Sequence, residues 1–165
     1  MNVSVLTDVP DGGAQMSTSH PNDLDSKQLC AVIDQVIFEC GLRENAEQLR
    51  AFNIVARHIC FGGPQLLIYI GGVGGTGKCY VIQAIIHLFA LLKRGEEVVI
   101  AAPTGAAVIL IGGHTIHSLT MLPDTRRKRD FRDLISLWRW ERYMILDEQS
   151  MIGRCFMSQW SNWMA

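Results

Sequence analysis

Leu66-Leu67-Ile68-Tyr69-Ile70-Gly71-Gly72-Val73-Gly74-Gly75-Thr76-Gly77-Lys78-Cys79 passes directly from an apolar run into a cluster of glycines and then a lysine. The run is too short for a lone helix, and with glycines at its end it predicts a buried parallel strand. From Gly72 to Lys78 the spacing is G-x-x-x-x-G-K, and each part of that spacing has a physical use. A strand delivers the backbone into a turn where Gly72, Gly74, Gly75, Thr76 and Gly77 aim N–H groups at phosphate oxygens. The helix expected to start at Lys78 points its positive dipole end the same way. Lys78 itself reaches the outer phosphates as a point charge. The plain alternative is a flexible glycine linker, but the flanking strand and helix fall where phosphate binding needs them.

The next position breaks the pattern. A Ser or Thr hydroxyl after the lysine would help hold Mg²⁺, a hard cation that prefers oxygen, whereas Cys79 offers sulfur. The expectation is a chain that binds nucleotide and hydrolyses it slowly at best.

Downstream, a helix is predicted from Lys78 to Lys93, ending near Gly95, followed by a strand over Val98-Val99-Ile100-Ala101 that closes a β-α-β unit. The strand runs into Ala102-Pro103-Thr104-Gly105-Ala106-Ala107, a turn of small residues opening the next helix. Small residues let a ligand backbone approach, and Thr104 and Gly105 are candidates for holding a phosphodiester oxygen; a tight connection is the plain alternative. Short helices are predicted over Thr115–Leu119 and Phe131–Trp138. A third buried strand, Tyr143-Met144-Ile145-Leu146, ends in Asp147-Glu148. There an Asp can hold Mg²⁺ through its water shell, with Cys79 as the other metal candidate, while Glu148 polarises an attacking water.

Upstream, Leu29, Val32, Ile33, Val36 and Ile37 recur at helical spacing with Gly41 as a left-handed cap. A second amphipathic helix is expected from Ala46 to Cys60, stopped by Gly62-Gly63-Pro64. Residues 1–25 read as a disordered leader, so structure is expected to begin near Ser26.

With 165 residues there is room for one compact domain. A net charge of −1 argues against a strong overall pull toward polyanions, so any nucleic-acid contact has to be local. The five cysteines are widely spaced with no C-x-x-C pair, suggesting reduced thiols rather than a zinc site or disulfide framework. No signal or transit peptide is read at the N-terminus, and the longest apolar stretch is too short for a bilayer, so no membrane partner is expected.

Taken together, Asn45-Ala46-Glu47-Gln48, the Gly72–Lys78 loop, Ala102-Pro103-Thr104-Gly105-Ala106-Ala107, Thr115-Ile116-His117-Ser118 and Tyr143–Glu148 resemble the PIF-type (petite integration frequency) 5′-to-3′ DNA helicases of superfamily one. The likeness runs from about Asn45 to Met157. It implies an α/β, RecA-like P-loop NTPase domain with a mainly parallel sheet and helices on both faces. It also implies ATP and Mg²⁺ as cofactors, Gln48 as reader of the adenine edge, and Lys78, Asp147 and Glu148 as the catalytic set. Thr104, Gly105, Thr115 and His117 would face single-stranded DNA or a DNA junction. The processes implied are DNA repair, recombination and telomere maintenance, in the nucleus.

Two positions depart from the family. Cys79 stands for Ser or Thr, and Gln149 stands for an apolar residue, where it is expected to bury an unpaired amide at a cost of roughly 1–3 kcal/mol. The chain ends at Ala165, soon after the acidic pair, so the expectation is a truncated copy without the second motor lobe and its arginine finger. Rival readings are another small P-loop NTPase and a nucleotide- or DNA-binding remnant. Of the remaining features, Arg126-Arg127-Lys128-Arg129 reads as a solvated basic loop, Trp138 as core rather than a base-stacking platform, and His114 with His117 as a turn rather than a metal site. Trp160 and Trp163 read as packing against a missing neighbour.

Overall fold

The computed structural model describes residues 2–6, 24–120, 138–154, 156 and 158. The basic run at 126–129, the helix expected before Trp138, and Trp160 and Trp163 lie outside them. The chain divides into two compact units, Met1–Lys93 and Arg94–Ala165. No helix among the described residues is long and apolar enough to cross a membrane.

In the first unit, helix α1 (Ser26–Glu39) ends as its sequence predicts, with Gly41 left-handed at φ 58°. Helix α2 (Ala46–Phe61) starts where the Asn45 side chain accepts the Glu47 and Gln48 amides, both at 3.2 Å, and ends at Gly62. Such a cap satisfies donors that the first turn leaves without helical partners. Helix α3 (Lys78–Leu91) follows the glycine loop and stops where Lys93 turns left-handed at φ 55°. The three helices share a core: Val36 of α1, Phe52 and Ala56 of α2, and Val81, Leu88 and Phe89 of α3 are essentially sealed from solvent. Their apolar residues recur at three- and four-residue steps, which places them on one side of each helix.

The strands of this unit correct two expectations. β1 (Asn2–Leu6) falls within the stretch read as leader and pairs antiparallel with β2 (Leu67–Gly71), from Asn2 opposite Gly71 to Leu6 opposite Leu67. β2 is therefore neither parallel nor fully buried, with Leu67 39% and Tyr69 53% exposed. A short apolar run marks a strand without naming its partner, and the alternating Asn-Val-Ser-Val-Leu of β1 supplies a compatible ladder edge.

In the second unit, three parallel strands are ordered β4-β3-β5: β3 (Val98–Ala102) is central, flanked by β4 (His114–Thr115) and β5 (Tyr143–Leu146). Helix α4 (Gly105–Ile111) leaves β3, and helix α5 (Ile116–Thr120) leaves β4. Because β3 ladders with β4 and β5 while β2 ladders with β1, the expected β2-α3-β3 unit does not share one hydrogen-bonded sheet. What stands is an α/β chain with a small parallel sheet.

The register of β5 is set at its start. The Arg142 amide donates to the Glu97 carbonyl at 2.8 Å, one step before Val98 opposite Tyr143 opens the ladder. Glu97 is buried, and Arg94 meets its carboxylate with two 2.7 Å bonds; a buried carboxylate needs such a partner. Val99, Ala101, Ile116 and Leu119 form the core, with Trp138, Met144, Leu146, Ile152 and Phe156 packed on it. Trp138 is thus a packing residue, and its indole N–H donates to the Leu119 carbonyl at 3.2 Å. The residues of β5 are half-buried rather than buried, and β5 lies at one side of the sheet formed by the described strands.

Candidate functional site

The glycine loop sits where strand-to-helix geometry requires, between β2 and the first turn of α3. Gly72, Gly75 and Gly77 take φ values of 155°, 81° and 79°, which glycine adopts without a Cβ penalty. Thr76 ties the loop to itself, its hydroxyl donating to the Val73 carbonyl at 2.9 Å. The Lys78 ammonium is folded over the loop, donating to the Gly72 carbonyl at 2.8 Å and the Val73 carbonyl at 3.0 Å. The cation is therefore held within the turn, at the amino end of a 14-residue helix.

Gln48 is brought to this loop from α2. Its side-chain amide donates to the Thr76 carbonyl at 3.3 Å across 28 positions of sequence. A Cβ at Gly77 would push the same amide aside, so the φ of this glycine calls for glycine and its bare Cα leaves room for Gln48. The Asn45 cap explains the placement, since it fixes the first turn of α2 on which Gln48 stands. An open hollow of about 490 Å³ lies elsewhere in this unit, against His58, Phe61 and Pro64 at the end of α2, and no sequence motif converges on it.

The second unit gathers the other candidates at one edge of its sheet. Ala102 is opposite Thr115 in the β3–β4 ladder, and Ala101 is opposite Leu146 in the β3–β5 ladder. Thr104-Gly105, Thr115–His117 and Asp147-Glu148 therefore all emerge at the carboxyl ends of adjacent parallel strands, where open α/β sheets bind ligands. Thr104 caps α4 by accepting the Ala107 amide at 3.3 Å. Thr115 does the same for α5, accepting the Ser118 amide at 3.2 Å and donating to the Ser118 hydroxyl at 3.0 Å. Exposed His117 lies 4.9 Å from the Phe156 ring, tilted by 54°. The Arg139 guanidinium stands 5.9 Å from the ring centre of exposed Trp140.

The Asp147 amide donates to the Ala101 carbonyl at 2.9 Å, and the Asp147 carboxylate accepts the Glu148 amide at 2.9 Å. Glu148 adopts φ 52°, a left-handed conformation unusual for a non-glycine residue, and its side chain is exposed. A profile of the PIF1-like helicases matches residues 43–161, which includes both groups of residues.

The chain belongs to the PIF1-like helicase family.

Among its relatives, the ATP-dependent DNA helicase RRM3 of Saccharomyces cerevisiae is 30% identical over 114 residues, covering 64% of this chain and 15% of that protein. The ATP-dependent DNA helicase PIF4 of Trypanosoma brucei brucei is 37% identical over 106 residues, 63% of this chain and 12% of that protein. The ATP-dependent DNA helicase PIF1 of Saccharomyces cerevisiae is 33% identical over 93 residues, 52% of this chain and 11% of that protein. The chain thus spans 15% or less of the length of these three relatives. No solved structure matches it.

Within this PIF1-like chain, Gln48, the Gly72–Gly77 loop and Lys78 come together in the first unit. Thr104, Gly105, Thr115, His117, Asp147 and Glu148 come together in the second. Gln149 is exposed, so the expected penalty for a buried amide does not arise; the turn after Glu148 carries it to the surface. The part sequence reasoning missed is the Ala101 carbonyl, which anchors Asp147. No local signal marks that atom, because only the ladder register brings it there. For Mg²⁺, Cys79 is a poor fit: the second residue of α3 offers an exposed thiol, and a hard cation prefers oxygen.

Proposed function

We propose that this chain carries the ATP-binding, RecA-like part of a 5′-to-3′ DNA helicase acting in nuclear repair, recombination and telomere maintenance. The observation that carries the reading is the glycine loop with Lys78 held over it and Gln48 docked on its last turn. When a triphosphate enters, Lys78 exchanges two neutral carbonyl partners for charged phosphate oxygens, and a hydrogen bond between ionised groups is the stronger kind. The loop amides and the amino end of α3 favour the same negative charge. A carboxamide has two N–H groups and an oxygen, so Gln48 can hold Thr76 with one N–H and present the rest to an adenine edge. Glu148, at the strand end, is the group to polarise the attacking water, and Asp147 beside it is held by its amide. Thr104, Gly105, Thr115 and His117 provide the contacts for a single strand of DNA, the first three uncharged, which fits a chain with no strong net charge.

Titration with a fluorescent ATP analogue tests the nucleotide assignment. Wild type should bind, and Lys78→Ala should lose at least about tenfold in affinity, a change of roughly 1.4 kcal/mol. Equal affinity of the two proteins would overturn it. Turnover stimulated by single-stranded DNA and lost in Glu148→Gln supports a working motor part. The thiol at position 79 favours a second reading, a nucleotide-binding remnant, which predicts binding without turnover in the same assay.

A further inference from the structure

Helix α3 divides its side chains between two faces. Val81, Ile82, Ala84, Ile85 and Leu88 are buried, whereas Tyr80, on the first turn after Lys78, is 46% exposed and is not spent on the core. Helical side chains lean toward the amino end and cover the turn ahead of their own Cα, so the third residue of α3 covers the end of the glycine loop. Gly77 ties this residue to Gln48: a Cβ placed there would meet the Gln48 carboxamide and, at 4.0 Å, the Tyr80 Cβ. An exposed aromatic residue and a carboxamide therefore flank one glycine. An exposed tyrosine on a helix is ordinarily a solvated residue. Here its neighbour is an amide anchored to the Thr76 carbonyl at 3.3 Å, at the start of the helix that carries Lys78.

Resting on the ATP-binding reading above, we infer that Tyr80 sets the base preference of the site, its ring stacking on the purine whose edge meets Gln48. The two groups recognise different properties of one base. A tyrosine face gains more from a two-ring purine than from a pyrimidine, because more flat area is covered. The carboxamide offers donors and an acceptor in the plane of the base. The loop amides and Lys78 meet phosphates and are indifferent to the base. Base preference thus comes from α2 and α3 together, and phosphate affinity from the turn between β2 and α3.

The test titrates the purified full chain and its Tyr80→Phe and Tyr80→Ala variants with ATP, CTP and inorganic tripolyphosphate by calorimetry. Wild type should bind ATP about tenfold more tightly than CTP, and Tyr80→Phe should keep that ratio. Tyr80→Ala should lose about tenfold in ATP affinity and bring the ratio close to one, while all three proteins bind tripolyphosphate within about twofold of one another. A ratio unchanged in Tyr80→Ala overturns the inference, as does an equal loss for ATP and tripolyphosphate, which would mark Tyr80 as a structural residue of the helix start. If Tyr80→Ala does not fold, Tyr80→Leu keeps apolar bulk without an aromatic face and is held to the same ratio. Wild type without affinity for either ATP or tripolyphosphate overturns the ATP-binding reading itself.

Discussion

Gly77 shows how much of the loop rests on single atoms. At φ 79° any side chain is strained, and a Cβ would also displace the Gln48 amide. Gly77→Ala should therefore lower the unfolding free energy in urea by about 1–2 kcal/mol and weaken ATP binding, because the Gln48 bond to Thr76 cannot form unchanged. Glu148 is the converse case, an acid in the left-handed region at φ 52°. Glu148→Gly should be more stable than wild type by ~1 kcal/mol in the same denaturation while showing no ATP turnover; a fall in stability would mean that the acid is held by contacts stronger than its strain. The loop was legible in the sequence because phosphate binding needs glycines and a lysine at fixed spacing. The link from Gln48 to Thr76 was not, since a side-chain amide reaching a backbone carbonyl across two elements leaves no periodic trace.

Between elements, α1 and α3 are joined at the surface by His87, whose Nε2 is 2.6 Å from the Glu39 carboxylate, and Gln35 donates to the same carboxylate at 2.8 Å. The hydrogen bond from His87, followed by that from Gln35, holds the Glu39 carboxyl below the usual carboxylate range. A carboxyl lowered in the folded state leaves the unfolded chain to take up the proton first as pH falls. Its contribution is thus complete above the ordinary carboxylate range and disappears as pH drops through that range to the folded value. The difference in Tm between wild type and Glu39→Gln should be positive at neutral pH and shrink towards zero in acid; a difference independent of pH would show that the carboxylate charge is not involved. At α5, Thr115→Ala removes the cap on Ser118 and should cost about 1 kcal/mol of unfolding free energy. The helix starts were legible, since α1, α2 and α3 begin at Ser26, Ala46 and Lys78, although Gly77 ahead of α3 supplies no side-chain cap. Strands β2, β3 and β5 were also legible, whereas β1 and β4 were not, and strand partners were not, because β1 and β2 pair over a separation that no local window spans.

At the scale of the molecule, the net charge of −1 and the uncharged character of Thr104, Gly105 and Thr115 limit how many counterions a nucleic acid would release. Single strands lose affinity with salt at a slope of about −0.7 per neutralised phosphate, so the observed slope for oligo-dT should be no steeper than about −2. A steeper slope, measured by fluorescence anisotropy, would place several cationic side chains on the strand and remove these uncharged residues from the centre of the proposed interface. The sequence led to the expectation of one sheet carrying every motif, and the described residues instead form a two-stranded ladder in one unit and a three-stranded parallel sheet in the other. Composition and spacing report the apolar strands β2, β3 and β5, while the short or polar strands and the assembly of strands into sheets depend on long-range pairing that they do not encode.

The bond from the Asp147 amide to the Ala101 carbonyl carries a mechanical meaning. Ala101 stands three residues ahead of Thr104 on the same piece of backbone, so a tug delivered at the threonine travels through three peptide links and one amide tether before reaching the acid. A strand of DNA gripping the turn would strain that tether directly. If the proposed DNA and nucleotide roles hold, communication between track and fuel would need no long lever here, only the Ala101 carbonyl that tethers the acid.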